Sequence, residues 1–173
     1  RRHHLREKSR LLEDRHQRRV GDRREREQEG EGGGELLAEA VGRRLAEAGA
    51  GIVCGGGTGV IEAACRGAAR AGGLSIGLLP GASADSGNPW LSAPLPTGMG
   101  EGRNALVVRA GRAVIAIGGG LGTPAEIALA LRMGKTVVAL RTWTATAPDG
   151  HPLALTHATS AADAVRAALQ EAG

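Results

Sequence analysis

The sequence predicts an α/β protein built on a doubly wound, mainly parallel sheet. Three observations carry this. Short apolar runs alternate with helix-like, Ala-rich runs, the pattern of a parallel sheet covered by helices on both faces. Two glycine clusters, Gly55-Gly56-Gly57-Thr58-Gly59 and Gly118-Gly119-Gly120-Leu121-Gly122-Thr123, each lie between an apolar run and a helical run. The length, 173 residues, suits one such domain with a moderate core.

Composition narrows the function classes. The chain has two Trp and neither Tyr nor Phe, so its core must be Ala, Val, Leu and Ile. Aromatic platforms for stacking single-stranded bases are missing. Half of the 22 Lys and Arg and eight of the 18 Asp and Glu fall in residues 1–33, which leaves the rest near neutrality despite the formal charge of +4. A nucleic-acid partner is therefore not expected. Cys54 and Cys65 lack metal-ligand spacing and read as buried free thiols. No signal peptide and no apolar run long enough for a bilayer are seen, so the expected setting is cytoplasmic, with no membrane partner.

Residues 1–33 are polar and rich in Arg and Glu, with only scattered leucines and Val20. They read as a charged, disordered tail, with some helix around Leu5 to Gln17; residues 34–173 form the folded domain. From Glu35, Leu37, Val41, Leu45 and Ala48 recur at helical spacing, and Gly49 and Gly51 end that helix. Gly51 to Cys54 is a strand, Val60 to Ala71 a helix, and Leu74 to Leu79 a strand. Residues 80–100 read as a long loop, with a short strand expected within Leu91 to Leu95; long loops are commonly functional. A helix from Gly102 to Ala110, a strand over 113–117, a helix over 124–133 and a strand over 136–140 follow. Leu153 to Thr156 reads as an edge strand. The last helix opens on Ser160-x-x-Asp163, a capping-box pattern.

A buried strand that ends in glycines and turns into a helix sets bare N–H groups beside a positive helix end, a site for an anion and most often a phosphate. The plainer reading of each cluster is a tight turn with close strand–helix packing. Neither cluster fits the dinucleotide fingerprint G-x-G-x-x-G. Arg103, in the first helical turn after Gly98-Met99-Gly100-Glu101-Gly102, opposes the helix dipole, so the helix does not call for it; it suits a phosphate or a solvated surface. Asn104 can bind a ligand or cap. Thr123-Pro124-Ala125-Glu126 reads as a capping box, Thr at the cap and Glu three positions on; the same placement leaves the Glu126 carboxylate at the rim of the glycine pocket. Asp85, Ser83 and Asn88 read as turn formers.

From Leu36 to about Leu140 the chain resembles the Rossmann-like nucleotide-binding proteins of the LOG superfamily, formerly labelled lysine decarboxylases. The text that carries the resemblance is Cys54 to Ala63, Gly98 to Asn104 and Gly118 to Glu126. The nearest branch holds molybdenum-cofactor carrier proteins. The resemblance implies a homodimer that binds a phosphorylated small molecule, a nucleotide or a molybdopterin-type ligand, with no cofactor required. Gly55, Gly56, Gly57, Thr58, Gly59, Arg103, Asn104, Gly118, Gly119, Gly120, Gly122, Thr123 and Glu126 would line the site. The superfamily's enzymes are phosphoribohydrolases that cut the N-glycosidic bond of nucleoside 5′-monophosphates. On that alternative Glu126 is the catalytic carboxylate and Arg103 the substrate-binding arginine. Here Gly118 replaces the proline and Asn104 the lysine of the enzyme pattern, as in the carrier-like branch. Relatives also open with a buried apolar strand that residues 1–33 do not contain. That strand lies mid-sheet, so its absence would leave a gap whose neighbouring backbone groups need other partners, unless the tail supplies a poor substitute.

Overall fold

The computed structural model describes residues 33–170; the expectations of a disordered tail and of a helix around Leu5 to Gln17 fall outside the described residues. Five helices and six strands follow. Helix α1 covers 33–47. Strand β1 is Ile52–Cys54, helix α2 Val60–Arg70 and strand β2 Ser75–Leu79. Strand β3, Ala93–Pro96, and a short 3-10 turn, Gly100–Arg103, lead into helix α3, Asn104–Ala110. Then come β4, Val114–Gly118; α4, Gly122–Arg132; β5, Val137–Thr142; β6, Thr156–Ala158; and α5, Ala161–Gln170.

All strand pairs are parallel, in the order β1-β2-β3 and β4-β5-β6. Among the described residues no ladder joins β1 to β4, the two strands between which the relatives' first strand was expected to lie. Packing holds the halves together instead. The period of two along β4 separates its side chains. Ala113, Ile115 and Ile117 join a core with α1, α2 and α5, while Val114 and Ala116 join a second core with α3 and α4. In β5, Val138 and Leu140 serve the first core and Val137 the second. Helices therefore cover both faces, as a doubly wound sheet requires.

Two expectations change. The short strand expected within Leu91 to Leu95 is β3, set slightly later at Ala93–Pro96, and runs beside β2 with Ile76 opposite Ala93 and Leu79 opposite Pro96. Its two prolines are tolerated because β3 lies at the sheet edge, where a missing N–H costs no ladder bond. The last edge strand lies at Thr156–Ala158, later than Leu153 to Thr156. Half of the α5 capping box forms: the Asp163 amide donates to Ser160 Oγ at 3.1 Å, while the Asp163 carboxylate accepts from that hydroxyl at 2.7 Å and not from the Ser160 amide.

Candidate ligand-binding site

Both glycine turns leave the carboxyl ends of strands, where open α/β sheets place their ligands. The first turn, 55–59, leaves β1 and enters α2. Positive φ angles at Gly56 (74°) and Gly59 (66°) explain those two glycines by backbone conformation. Asn88 braces the turn from outside: its backbone N–H donates to the Gly56 carbonyl at 2.9 Å, and its carboxamide donates to the Gly56 and Gly57 carbonyls at 3.3 and 3.0 Å. Asn88 is buried. It is no mere turn former, and no local sequence signal marks it, because its partners lie some thirty residues earlier.

The second turn leaves β4 and enters α4. Gly118 and Gly119 have φ of 53° and 103°. A Cβ on Gly119 would lie 1.9 Å from the Thr123 hydroxyl. The end of β5 braces this turn: Thr142 Oγ1 donates to the Gly118 carbonyl at 2.6 Å, and Trp143 Nε1 donates to the Gly119 carbonyl at 2.8 Å. With the carbonyls so engaged, the amides of Gly57, Thr58, Gly119 and Gly120 find no acceptor among the described residues.

Tight turns do not explain every glycine. Gly57, Gly120 and Gly122 have no positive φ, and a Cβ built on any of them would meet nothing within 4 Å. The fold would accept a side chain at all three. A ligand approaching the bare backbone would not.

Arg103, at the junction of the 3-10 turn and α3, connects the first turn to helix α4. Its guanidinium packs against Gly55, where an added Cβ would meet Nη2 at 2.6 Å. It donates to Asn104 Oδ1 at 2.7 Å and lies 3.7 Å from Glu126 Oε1. The side chain is only 15% exposed, and its Nε is buried without a hydrogen-bond partner among the described residues. A solvated surface arginine does not fit this burial. An N–H held dry and unpaired is costly, and an anionic ligand would satisfy it.

Glu126 has a different job from the one its capping pattern suggested. Helix α4 begins at Gly122, two residues earlier than a Thr123 cap requires, and no side chain caps it. Thr123 lies inside the first turn with its hydroxyl over Gly119, and the Glu126 carboxylate is left to face Arg103. Burial pushes that carboxyl above its ordinary value, and the Arg103 charge pulls against the shift. The arrangement thus offers two amide-bearing turns, one cation between them and one carboxylate 30% exposed at the rim: a fit for an anion with a polar group attached.

Comparison with known proteins follows the same lines. A molybdenum cofactor binding protein from Rippkaea orientalis superposes with a TM-score of 0.70 at 29% identity, covering 79% of this chain and 86% of that one. The molybdenum cofactor carrier protein of Chlamydomonas reinhardtii gives a TM-score of 0.69 at 32% identity, over 80% and 88% of the two chains. An uncharacterised protein of Archaeoglobus fulgidus is 41% identical over 105 residues, 61% of this chain and 69% of its own. The family model of the SLOG cluster4 family matches residues 21–168, from within the charged N-terminal stretch to the last helix. A divided parallel sheet, two glycine turns and the arginine between them are thus the features of a chain that belongs to the SLOG cluster4 family.

Proposed function

We propose that this protein binds a phosphorylated small molecule, a nucleotide or a pterin-nucleotide cofactor of molybdopterin type, across its two glycine turns. One observation carries the reading: Gly57, Gly120 and Gly122 stand over open space without a positive φ, so neither crowding nor left-handed backbone explains their lack of a side chain. The unpaired Arg103 Nε supports the same conclusion, as does the likeness to proteins whose names say that they bind or carry the molybdenum cofactor. In such a complex the free amides of the turns and the Arg103 guanidinium would hold the phosphate, and Asn104 and Glu126 would meet the sugar or the ring. The group's redox chemistry, where it is the ligand, belongs to the metal and its dithiolene; this chain's residues bind and orient. A homodimer belongs to the same reading, and sedimentation at twice the chain mass tests it.

Titration with AMP tests the binding site. The expected result is saturable binding that falls at least about tenfold in Arg103→Met, since a charged hydrogen bond of this kind contributes about 1.5–3 kcal/mol. Equal affinity in the variant would refute the assignment of Arg103.

A second reading is favoured by a specific feature. Glu126 is not spent on capping, is partly buried, and has a carboxyl raised by that burial above its ordinary value. Such a group can orient water toward a sugar carbon, as a phosphoribohydrolase requires. Free base released from AMP by the wild type and not by Glu126→Gln would establish that activity; no release, with binding retained, would leave the binding protein alone.

A further inference from the structure

Two side chains beside the first turn have no part in the ligand reading. Cys54 ends β1 and Cys65 lies in α2, so the pair brackets the whole of Gly55–Gly59. Their sulfurs are 3.7 Å apart. Cys65 is fully buried and Cys54 half-buried. The carboxamide of Asn88 lies 3.8 Å from the Cys65 sulfur, and this same group donates to the carbonyls of Gly56 and Gly57.

We propose that Cys54 and Cys65 form a dithiol that hydrogen peroxide converts to an intramolecular disulfide, and that this modification resets the first glycine turn. The sulfurs need to close from 3.7 Å to about 2.05 Å. That movement draws the end of β1 toward α2, fastens both ends of the turn, and takes the Cys65 sulfur from Asn88. The bracing of Gly56 and Gly57 shifts with it, as does the contact of Gly55 with Arg103.

The chemistry balances with one peroxide. The Cys65 thiolate attacks one peroxide oxygen, the O–O bond breaks, and the departing hydroxide takes up the proton lost from the thiol to leave as water. Cys65 is now a sulfenic acid. The Cys54 sulfur attacks the Cys65 sulfur, the S–O bond breaks, and the hydroxyl leaves with the Cys54 proton as a second water. Two thiols are oxidised and one peroxide is reduced. A small oxidant is required because Cys65 lies at no surface. The proton is already divided in the right sense: the hydrogen bond from the Cys54 thiol, aided by Asn88 and Ser75, holds Cys65 down at about 7 against its burial, and that shared bond together with burial pushes Cys54 up.

The consequence for affinity rests on the ligand-binding reading; the disulfide itself does not. The full chain is reduced, freed of reductant and treated with hydrogen peroxide. Intact mass is expected to show the loss of two hydrogen atoms, reversed by dithiothreitol, with Cys54 and Cys65 joined in one peptide. The Cys54→Ser variant is expected to gain oxygen instead. Deuterium exchange at residues 55–59 is expected to slow on oxidation, and AMP affinity to fall by about tenfold. Oxygen addition without a crosslink in the wild type, or a crosslink that leaves exchange at 55–59 unchanged, would overturn the proposal. A protein that crosslinks and slows its exchange yet binds AMP in neither state supports the dithiol and counts against the ligand-binding reading instead.

Discussion

At the scale of single residues, the arginine and the glutamate were visible in the sequence as candidates, but their relation was not. Arg103 stood out because a cation at the start of a helix works against the dipole. Glu126 was concealed by a capping pattern that the helix does not use, because α4 starts at Gly122 and carries Thr123 inside its first turn. Asn88 could not have been found at all: a carboxamide in a Gly- and Ser-rich stretch looks like a turn former, and only the fold brings it to Gly56 and Gly57. The partial burial of Glu126 has a consequence for stability. Its carboxyl is raised in the folded state, chiefly by burial, so the unfolded chain loses this proton first as pH rises. The contribution is fully present below the ordinary carboxylate value of 4.5 and is lost as pH climbs through the raised value. The stability of wild type relative to Glu126→Gln is therefore expected to decline upward from the ordinary value. Urea melts of both proteins across that range check it, and a constant difference would contradict it.

Elements were legible to within a few residues wherever apolar periodicity was strong, as in α2, β2, β4, β5 and α5. They were less so where prolines or polar residues fill a strand, as in β3 and β6, because edge strands need neither a continuous apolar run nor every N–H. One element-level feature left no sequence signal of its own. Helices α1 and α2 approach through Gly42 and Gly67: a Cβ on Gly42 would lie 2.0 Å from the Ala64 carbonyl oxygen, and one on Gly67 would lie 2.0 Å from that of Glu39. The contact is fastened by the Glu39 carboxylate, which accepts from Arg66 at 2.8 Å and from Arg70 at 2.6 Å. Ala is the better helix former by about 1 kcal/mol, yet backbone cannot yield to a contact this close, and overpacking costs about 1–3 kcal/mol. Gly42→Ala and Gly67→Ala are each expected to lower the melting temperature. A rise in either would show that the two helices are not so tightly joined.

For the whole molecule, the most telling expectation concerned a missing piece. A mid-sheet strand not legible in residues 1–33 implied either a gap or a substitute from the tail, which lies outside the described residues; among the described residues the ladders are β1-β2-β3 and β4-β5-β6. The core bridges the division, since α1 and α2 pack on the same apolar cluster as β4, β5 and α5. Each half contributes one glycine turn, and Arg103 reaches from the first turn to helix α4, in contact with Gly55 on one side and within 3.7 Å of Glu126 on the other. Convergence of the turns followed from the general rule for parallel sheets; which glycines are free of structural duty did not, because that depends on atoms distant in sequence.

That distinction gives the most direct test. Gly57→Ala and Gly120→Ala place a methyl group in open space at positions without a positive φ, so each is expected to leave stability within about 0.5 kcal/mol of the wild type. If the turns receive a phosphate through their bare amides, each substitution lowers AMP affinity by about tenfold or more, a change worth about 1.4 kcal/mol, while the melting temperature holds. Unchanged affinity in both stably folded variants would contradict the account.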